Sequence, residues 1–391
     1  MAVNDLTVTQ ATTILNGIMG QATGNSALAA LDGSNFATVA QMALKTGYDV
    51  VTGAISQMVG RTIFTERTYE GSFRGLAASE QRFGNIARKL NISDPDFIDN
   101  AEWKLTDGQS VDMYEVHKPN ILQTNFYGAV SYCLPMTTYK NQLDIAFLNP
   151  ANLVEFMSMQ MRNANNVNAQ AFENLSRATL VNLVSGSLAV NSSYQVIHLL
   201  AEYNTKTGLE LAATDIYKPE NIKAFVLWLS ARVETALDAI KDRTTIYHAN
   251  VTGKPISRFT SRDNARLYML SEFKNMVDRA GLADVYNEKM AEIGVNEKIN
   301  FWQSAQKPNE INFKPIYLKN DGTLTQPTAA RTDKNIIGCI FDKDAAGVTV
   351  RNQWTGSTPL NARGGYWNTY FHWTGQYWND FTENCIILQL D

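Results

Sequence analysis

Apolar residues along this chain recur at helical spacing in two long stretches and at alternate positions in a third. Leu153, Met157, Met161, Ala164, Ala171, Leu175 and Ala178 lie three, four or seven residues apart, which puts them on one stripe of a helix. Asn149-Pro150 opens that helix: Asn149 can cap it, Pro150 suits its first turn, and Glu155 sits near the positive end of its dipole. The pattern carries to about Val184, a rod of roughly 50 Å. Asn165, Asn166, Asn168 and Asn174 make it rich in amides, and it lacks the sustained Leu/Ile heptads of a coiled coil. Lys218-Pro219-Glu220 opens a second helix, whose buried face is Ile222, Phe225, Val226, Leu229, Val233, Ala236, Leu237 and Ile240. From Tyr366 to Trp373 the period drops to two. Trp367, Thr369, Phe371 and Trp373 face one way, and Tyr366, Asn368, Tyr370 and His372 the other. Thr374-Gly375-Gln376 then predicts a turn, with a return strand from Tyr377 to Phe381. The last two strands are expected at Ile336–Phe341 and Cys385–Leu390, on either side of this aromatic stretch.

Elsewhere the pattern is weaker. Phe36, Val39, Ala43, Val50, Ala54 and Met58 recur at near-helical intervals that Gly47 and Gly53 weaken. They fit either a partly helical arm that needs a partner surface or a plain core helix. Between Arg61 and Lys140, Asp94-Pro95-Asp96 marks a turn and Asp107-Gly108 a hairpin. The β-prone runs Ser110–Val116 and Asn125–Leu134 make a long two-stranded excursion of this region, and such a ribbon needs something to lie on. Residues 305–335 are polar and contain proline, as expected of an exposed loop or hairpin inserted between better-patterned elements.

Only 18% of residues are charged, against about 25% in ordinary globular chains, so much of the surface is expected to end against other protein. The net charge of −4, with no Lys/Arg run longer than two, excludes a general nucleic-acid binder. Three widely spaced cysteines, Cys133, Cys339 and Cys385, argue against a disulfide framework and for a reducing compartment. The opening MAVNDLTVTQ has neither the basic region nor the apolar run of a secretory signal, and no stretch nears the 18 or so apolar residues of a membrane span.

Catalytic constellations are missing from the sequence. It holds no H-E-x-x-H and no C-x-x-C, and Gly253-Lys254 lacks the rest of a P-loop. His117, His198, His248 and His372 are too scattered for a local metal site. Gly71-Ser72-Phe73-Arg74-Gly75 has the wrong spacing for a nucleophile elbow. Asp94, Asp96, Asp99 and Glu102 lack the glycine and bidentate glutamate of a calcium loop. Two readings of the aromatic stretch stay open. One is a buried sheet strand in a shell wall; the other is a platform for sugars, although the preceding long helices do not resemble a small carbohydrate-binding sandwich. Stacked nucleic-acid bases would want basic residues among the rings, and positions 365–381 have none.

Three segments carry a resemblance to a known family: "RNQ…ARGGYWNTYFHW" near the C-terminus, "FLNPANLVEFMSMQMRNANNVNAQAFENL" at the first helix, and "DVYNEKMAEIGVNEKINFW" further on. With the order of elements, they resemble the major capsid protein of tailed bacteriophages, the Hong Kong ninety-seven type fold, closest to short-tailed phages of the phi-twenty-nine kind. The resemblance covers about residues 35–390. It implies an α+β fold with an N-terminal arm (1–65), an extended hairpin loop (66–127), a peripheral lobe of spine helix and long antiparallel sheet (128–200 and 336–391), and an axial lobe with an insertion (201–335). No immunoglobulin-like domain is expected after the final strand.

The implied function is self-assembly into pentamers and hexamers of an icosahedral shell enclosing double-stranded DNA, held without sequence specificity. Scaffolding and portal proteins are the further partners implied. No membrane, cofactor, metal or catalytic residue is expected, and assembly would take place in the cytoplasm of the bacterial host before residence in the virion. The expected contacts between subunits are Trp103, Lys104, Met113 and Tyr114 on the hairpin, with Phe73 and Arg74 at its base. The alternative reading is a carbohydrate-binding protein that uses the Trp367–Trp378 aromatics.

Overall fold

A computed structural model describes residues 13, 15–16, 39–40, 73–77, 87–95, 114, 116–146, 150–190, 194–282 and 296–391. Most of the arm expected over 1–65 and the hairpin tip around Asp107-Gly108 lie outside these residues. Within the arm, positions 13, 15, 16, 39 and 40 are helical, and Leu15, Val39 and Ala40 are buried.

The aromatic alternation forms a strand, and the strand is longer than expected. β13 (Tyr366–Asn379) lies between β12 (Ala346–Ser357) and β3 (Ala129–Tyr139) in an antiparallel sheet ordered β12-β13-β3. Trp367, Thr369, Phe371 and Trp373 are buried, and the residues between them are half-buried, as the alternation predicts. The turn expected at Thr374–Gln376 does not form: Gly375 pairs with Val350 on one side and Val130 on the other. The glycine serves a close approach instead. A Cβ there would sit 2.8 Å from Leu175 Cδ2 and 2.7 Å from the Trp373 ring, so Gly375 lets the long helix press onto the sheet. The irregularity falls on the partner strand, where the register shifts between Val350 and Asn352.

A second sheet has the order β4 (Val196–His198), β14 (Cys385–Gln389), β11 (Ile336–Asp342), β5 (Ala265–Leu270), β6 (Glu297–Ile299). Both expected final strands are present, antiparallel to each other, while β4 and β6 join in parallel at the two edges. Every residue of β11 is buried, consistent with its continuous apolar run at the sheet centre. β5 and β6 come from the segment expected as an axial lobe, and they complete a sheet otherwise built from the expected peripheral lobe. One apolar core runs through both, from Phe73 through Leu180, Phe225 and Tyr268 to Phe341 and Ile387.

The described helices are α1 (Lys140–Ala146), α2 (Pro150–Val190), α3 (Leu199–Thr207), α4 (Pro219–Ala239) and α5 (Ser271–Leu282). α4 begins at the predicted proline, and Phe225, Val226, Leu229, Val233, Ala236, Leu237 and the flanking Ile240 are all buried. α2 is the predicted spine, but its 41 residues outrun Val184 and span about 60 Å. The expected stripe holds only in part: Ala164 and Leu175 are buried, Ala171 is half-buried, and Ala178 is exposed. Past Thr179 nearly every side chain is buried, so the one-sided pattern gives way to burial all round. Three layers cause this: the three-stranded sheet, β14 of the five-stranded sheet, and the segment around residues 311–333 all pack on the helix.

That segment, expected as an exposed loop or hairpin, is a ladder within a ladder. β7 (Ile311–Phe313) pairs with β10 (Arg331–Asp333), and β8 (Tyr317–Leu318) with β9 (Leu324–Thr325). The spine clips it in place. The Asn182 amide donates to the Ile316 carbonyl (3.1 Å) and accepts from the Ile316 N–H (2.8 Å), and Ser185 Oγ donates to Asp333 (2.9 Å).

Candidate assembly surface

The excursion predicted between residues 66 and 127 has a described stem but not the expected strands. β1 (Ala87–Ile92) pairs antiparallel with β2 (Ile121–Phe126), from Ala87 opposite Phe126 to Ile92 opposite Ile121. The run expected as one strand over Asn125–Leu134 is split at Tyr127-Gly128, where the chain leaves β1 and joins β13 as β3. Gly128 makes the transfer possible, because a Cβ would lie 2.5 Å from the Tyr377 carbonyl oxygen. In the other expected strand, Ser110–Val116, Tyr114 lies in a turn and Val116 outside any strand.

The stem turns three large apolar side chains outward. Opposed residues of an antiparallel pair share a face, so Leu90, Ile92, Ile121 and Gln123 look one way and Lys89, Asn91, Leu122 and Thr124 the other. The face turned to the rest of the subunit carries Lys89, the buried Asn91 and the half-buried Leu122 and Phe126, while on the other face, beside Arg88 and Gln123, Leu90, Ile92 and Ile121 are 61%, 62% and 53% exposed. A sheet with one wet face ordinarily places its apolar row inward.

The inner face is anchored by charge. Lys89 Nζ lies 2.5 Å from Asp380 Oδ2 and also pairs with the Glu383 carboxylate. Arg258 adds a second cation. It stands 3.4 Å from Glu383, donates to Asn91 Oδ1 (2.7 Å) and to the Thr382 carbonyl (3.0 Å). Burial works against the Lys89 ammonium, but the charges and hydrogen bonds of Asp380 and Glu383 outweigh it and hold its pKa above the ordinary value. Burial pushes the Glu383 carboxyl above the ordinary range, with Asp380 adding to the push and Lys89 and Arg258 opposing it. The lysine gains from this seat, while for Glu383 burial outweighs what the two cations return. At the far end of the stem, Asp94 accepts from the Ser257 N–H (2.8 Å) and pairs with Arg243, and Lys254 Nζ donates to the Ile121 carbonyl (3.1 Å).

The expected contact residues are dispersed. Phe73 is buried in the subunit's own core, 6.2 Å from the Tyr268 ring and with the Arg177 guanidinium 4.9 Å above it. That corrects its assignment as a contact, since this chain's own atoms already cover the ring. Arg74 lies in the 3-10 turn Arg74–Leu76, and its side chain is outside the described residues. Trp103, Lys104 and Met113 are outside them too; Tyr114 is described and 83% exposed. Leu90, Ile92 and Ile121 were missed. The signal available was the alternation in "ARKLNI", with lysine and asparagine between the apolar residues, but nothing local says which face is inward.

The aromatic stretch offers no sugar platform on its apolar side, because Trp367, Phe371 and Trp373 are sealed in the interior. Its other face carries Trp354, exposed and stacked on His372 at 3.7 Å. Burial pushes the Cys385 thiol up to about 12 and Cys339 well above the ordinary thiol value, while Cys133 is exposed. Among the described residues no cluster of three or more metal-ligating side chains occurs, and no helix is long and apolar enough to cross a membrane.

Known proteins match this arrangement. The family model described as Phi29-like phage major capsid protein matches residues 12–389. No curated protein matches the chain. Among solved structures, a chain of the capsid of Staphylococcus phage Andhra is similar with a TM-score of 0.53 at 13% identity, covering 84% of this chain and 87% of that one. A chain from the structure of the head fiber and inner core protein of native bacteriophage P68 reaches a TM-score of 0.52 at 12% identity, covering 82% and 84%. These likenesses extend the Hong Kong ninety-seven type fold to this α+β chain. The family match spans nearly the whole sequence, so this chain belongs to the Phi29-like phage major capsid proteins, the shell subunits of the virion, which assemble with identical copies of themselves.

Proposed function

We propose that the outer face of the β1–β2 stem, Leu90, Ile92 and Ile121, lies against a neighbouring copy in the shell, continued toward the tip by Trp103, Lys104, Met113 and Tyr114. The exposed apolar row of the stem carries this reading. Exposed apolar residues in a two-stranded ribbon that is itself anchored by charge are costly in a monomer and useful only when another surface covers them. The shell in this reading is icosahedral, built of pentamers and hexamers, assembled in the host cytoplasm with scaffolding and portal proteins, and filled with double-stranded DNA. The net charge of −4 suits a container that does not hold phosphates tightly. The subunit acts as a structural part with no catalytic step. The segment 201–335 forms the lobe nearest the five- and six-fold centres, and 128–200 with 336–391 the outer lobe.

The test is the double variant Leu90→Glu, Ile92→Glu. Both side chains are more than half exposed, so the subunit is expected to fold, giving unchanged far-ultraviolet circular dichroism. Negative-stain microscopy is expected to find few or no closed shells under conditions where the parent protein forms them. Normal shells from the variant would remove the stem face from the interface.

A further inference from the structure

The stem meets the rest of the subunit through charges across a gap. Beside the Lys89 cluster lies a cleft of about 250 Å³ lined by Arg88 and Phe126 of the stem and by Asp344 and Trp378 of the body, so the two surfaces are not close-packed there. Hydrogen bonds join Asn91 to Arg258, Asp94 to Ser257 and Pro255, and Ile121 to Lys254, and two ionic contacts add to them, which burial ranks. Arg243 at the far end is 62% exposed, and exposed ion pairs contribute little. Asp380 and Glu383 are 2% and 11% exposed and Lys89 27%, and removing Lys89 leaves the two buried carboxylates with Arg258, 3.4 Å from Glu383, as their nearby cation, which is destabilising. The Lys89 seat is therefore the stronger of the two ionic ties. Asp380 is itself fixed, since its Oδ1 accepts from both the N–H (2.9 Å) and the hydroxyl (2.6 Å) of Thr382.

We propose that Lys89 is a latch. Its ammonium, seated between Asp380 and Glu383, holds the β1–β2 stem in the orientation seen here, and withdrawing it frees the stem to swing about Tyr127-Gly128 while the body stays folded. Two features make the motion separable. The glycine at the pivot is where β2 gives way to β3, and β3 is secured independently by its eleven-residue pairing with β13. The freed stem would be an isolated two-stranded ribbon, which is marginal in water by itself. A subunit built this way can present its hairpin at different angles without repacking its core. The latch lies within one subunit, so the inference holds or fails independently of how copies meet.

Hydrogen exchange on the full-length chain in its unassembled fraction tests it, read segment by segment. In Lys89→Met, amides of Ile121–Phe126 are expected to exchange about 10-fold faster or more, with β11 and β14 unchanged. Lys89→Arg, which keeps the charge, is expected to stay within about 3-fold of the parent. Should Lys89→Met fail to fold, Glu383→Gln weakens the same seat from the other side and is expected to loosen the stem alone. Unchanged stem exchange in Lys89→Met or Glu383→Gln would overturn the latch. So would equal acceleration in stem and body, which would make Lys89 a part of the general fold.

Discussion

His248 illustrates what one buried side chain contributes to the platform beneath the stem. The loop from Thr244 to Arg258 supplies most of the stem's partners, and His248 fastens that loop to the last segment of the chain. Its Nε2–H donates to the Ile256 carbonyl (2.7 Å), and Nδ1 lies 3.2 Å from Asn384 Oδ1. Burial lowers its pKa below the ordinary 6.5, with Arg258 adding to the depression and the hydrogen bonds to Ile256 and Asn384 opposing it. The unfolded chain therefore takes up the proton first as pH falls, and stability is lost below about 6.5 until the folded state is protonated too. His248→Gln keeps a donor for Ile256 but cannot titrate. Urea midpoints measured from about pH 8 to about pH 5 are expected to start lower for the variant and to fall less steeply than the parent's. Equal slopes would mean that His248 does not titrate in this window.

At the scale of elements, glycines decide how closely the spine helix sits against its layers. A Cβ on Gly186 would lie 2.6 Å from two atoms of the Phe381 ring and 3.2 Å from Tyr317 Cβ. Alanine is the better helix former by about 1 kcal/mol. Phe381 is buried, however, and its ring cannot simply turn aside, so overpacking of about 1–3 kcal/mol is expected to win. Gly186→Ala should lower the urea midpoint, whereas an unchanged or higher midpoint would show that the ring has room to shift. The same close approaches mark where the sequence could be read and where it could not. α4 was legible because one wet face and one buried face give a clean 3.6-residue period. β13 was legible because its two faces differ at every step. Gly375 read as a turn because local sequence does not separate a bend from a place where a helix presses on a strand. The end of α2 was missed because Ser185, Gly186 and Ser187 are poor helix formers held in place by tertiary packing. The stem was hidden for a different reason: the acid that pairs with Lys89 lies 291 residues away, and Leu90, Ile92 and Ile121 point away from the subunit's own core.

For the whole molecule, low charge and a ribbon with an exposed apolar row support the same conclusion: the subunit is finished by its copies. Only 18% of residues are charged, and the stem leaves Leu90, Ile92 and Ile121 more than half exposed. The excursion can be shortened without touching its anchor, which separates folding from assembly. Deleting residues 97–120 joins Asp96 to Ile121 and leaves Ser93-Asp94-Pro95-Asp96 as a four-residue connection between Ile92 and Ile121, a length that hairpins commonly use. Lys89, Asn91 and Asp94 all remain, so the ties to Asp380, Arg258 and Ser257 persist. The truncated chain is expected to keep the thermal midpoint of the parent within a few degrees, yet to sediment as monomers or small rings and not as closed shells. Closed shells of normal size would show that the tip plays no part in closure and would confine the contact to the stem. A large fall in the midpoint would show that the excursion helps hold its own subunit together, against the division of labour that the polar anchor and apolar outer face describe.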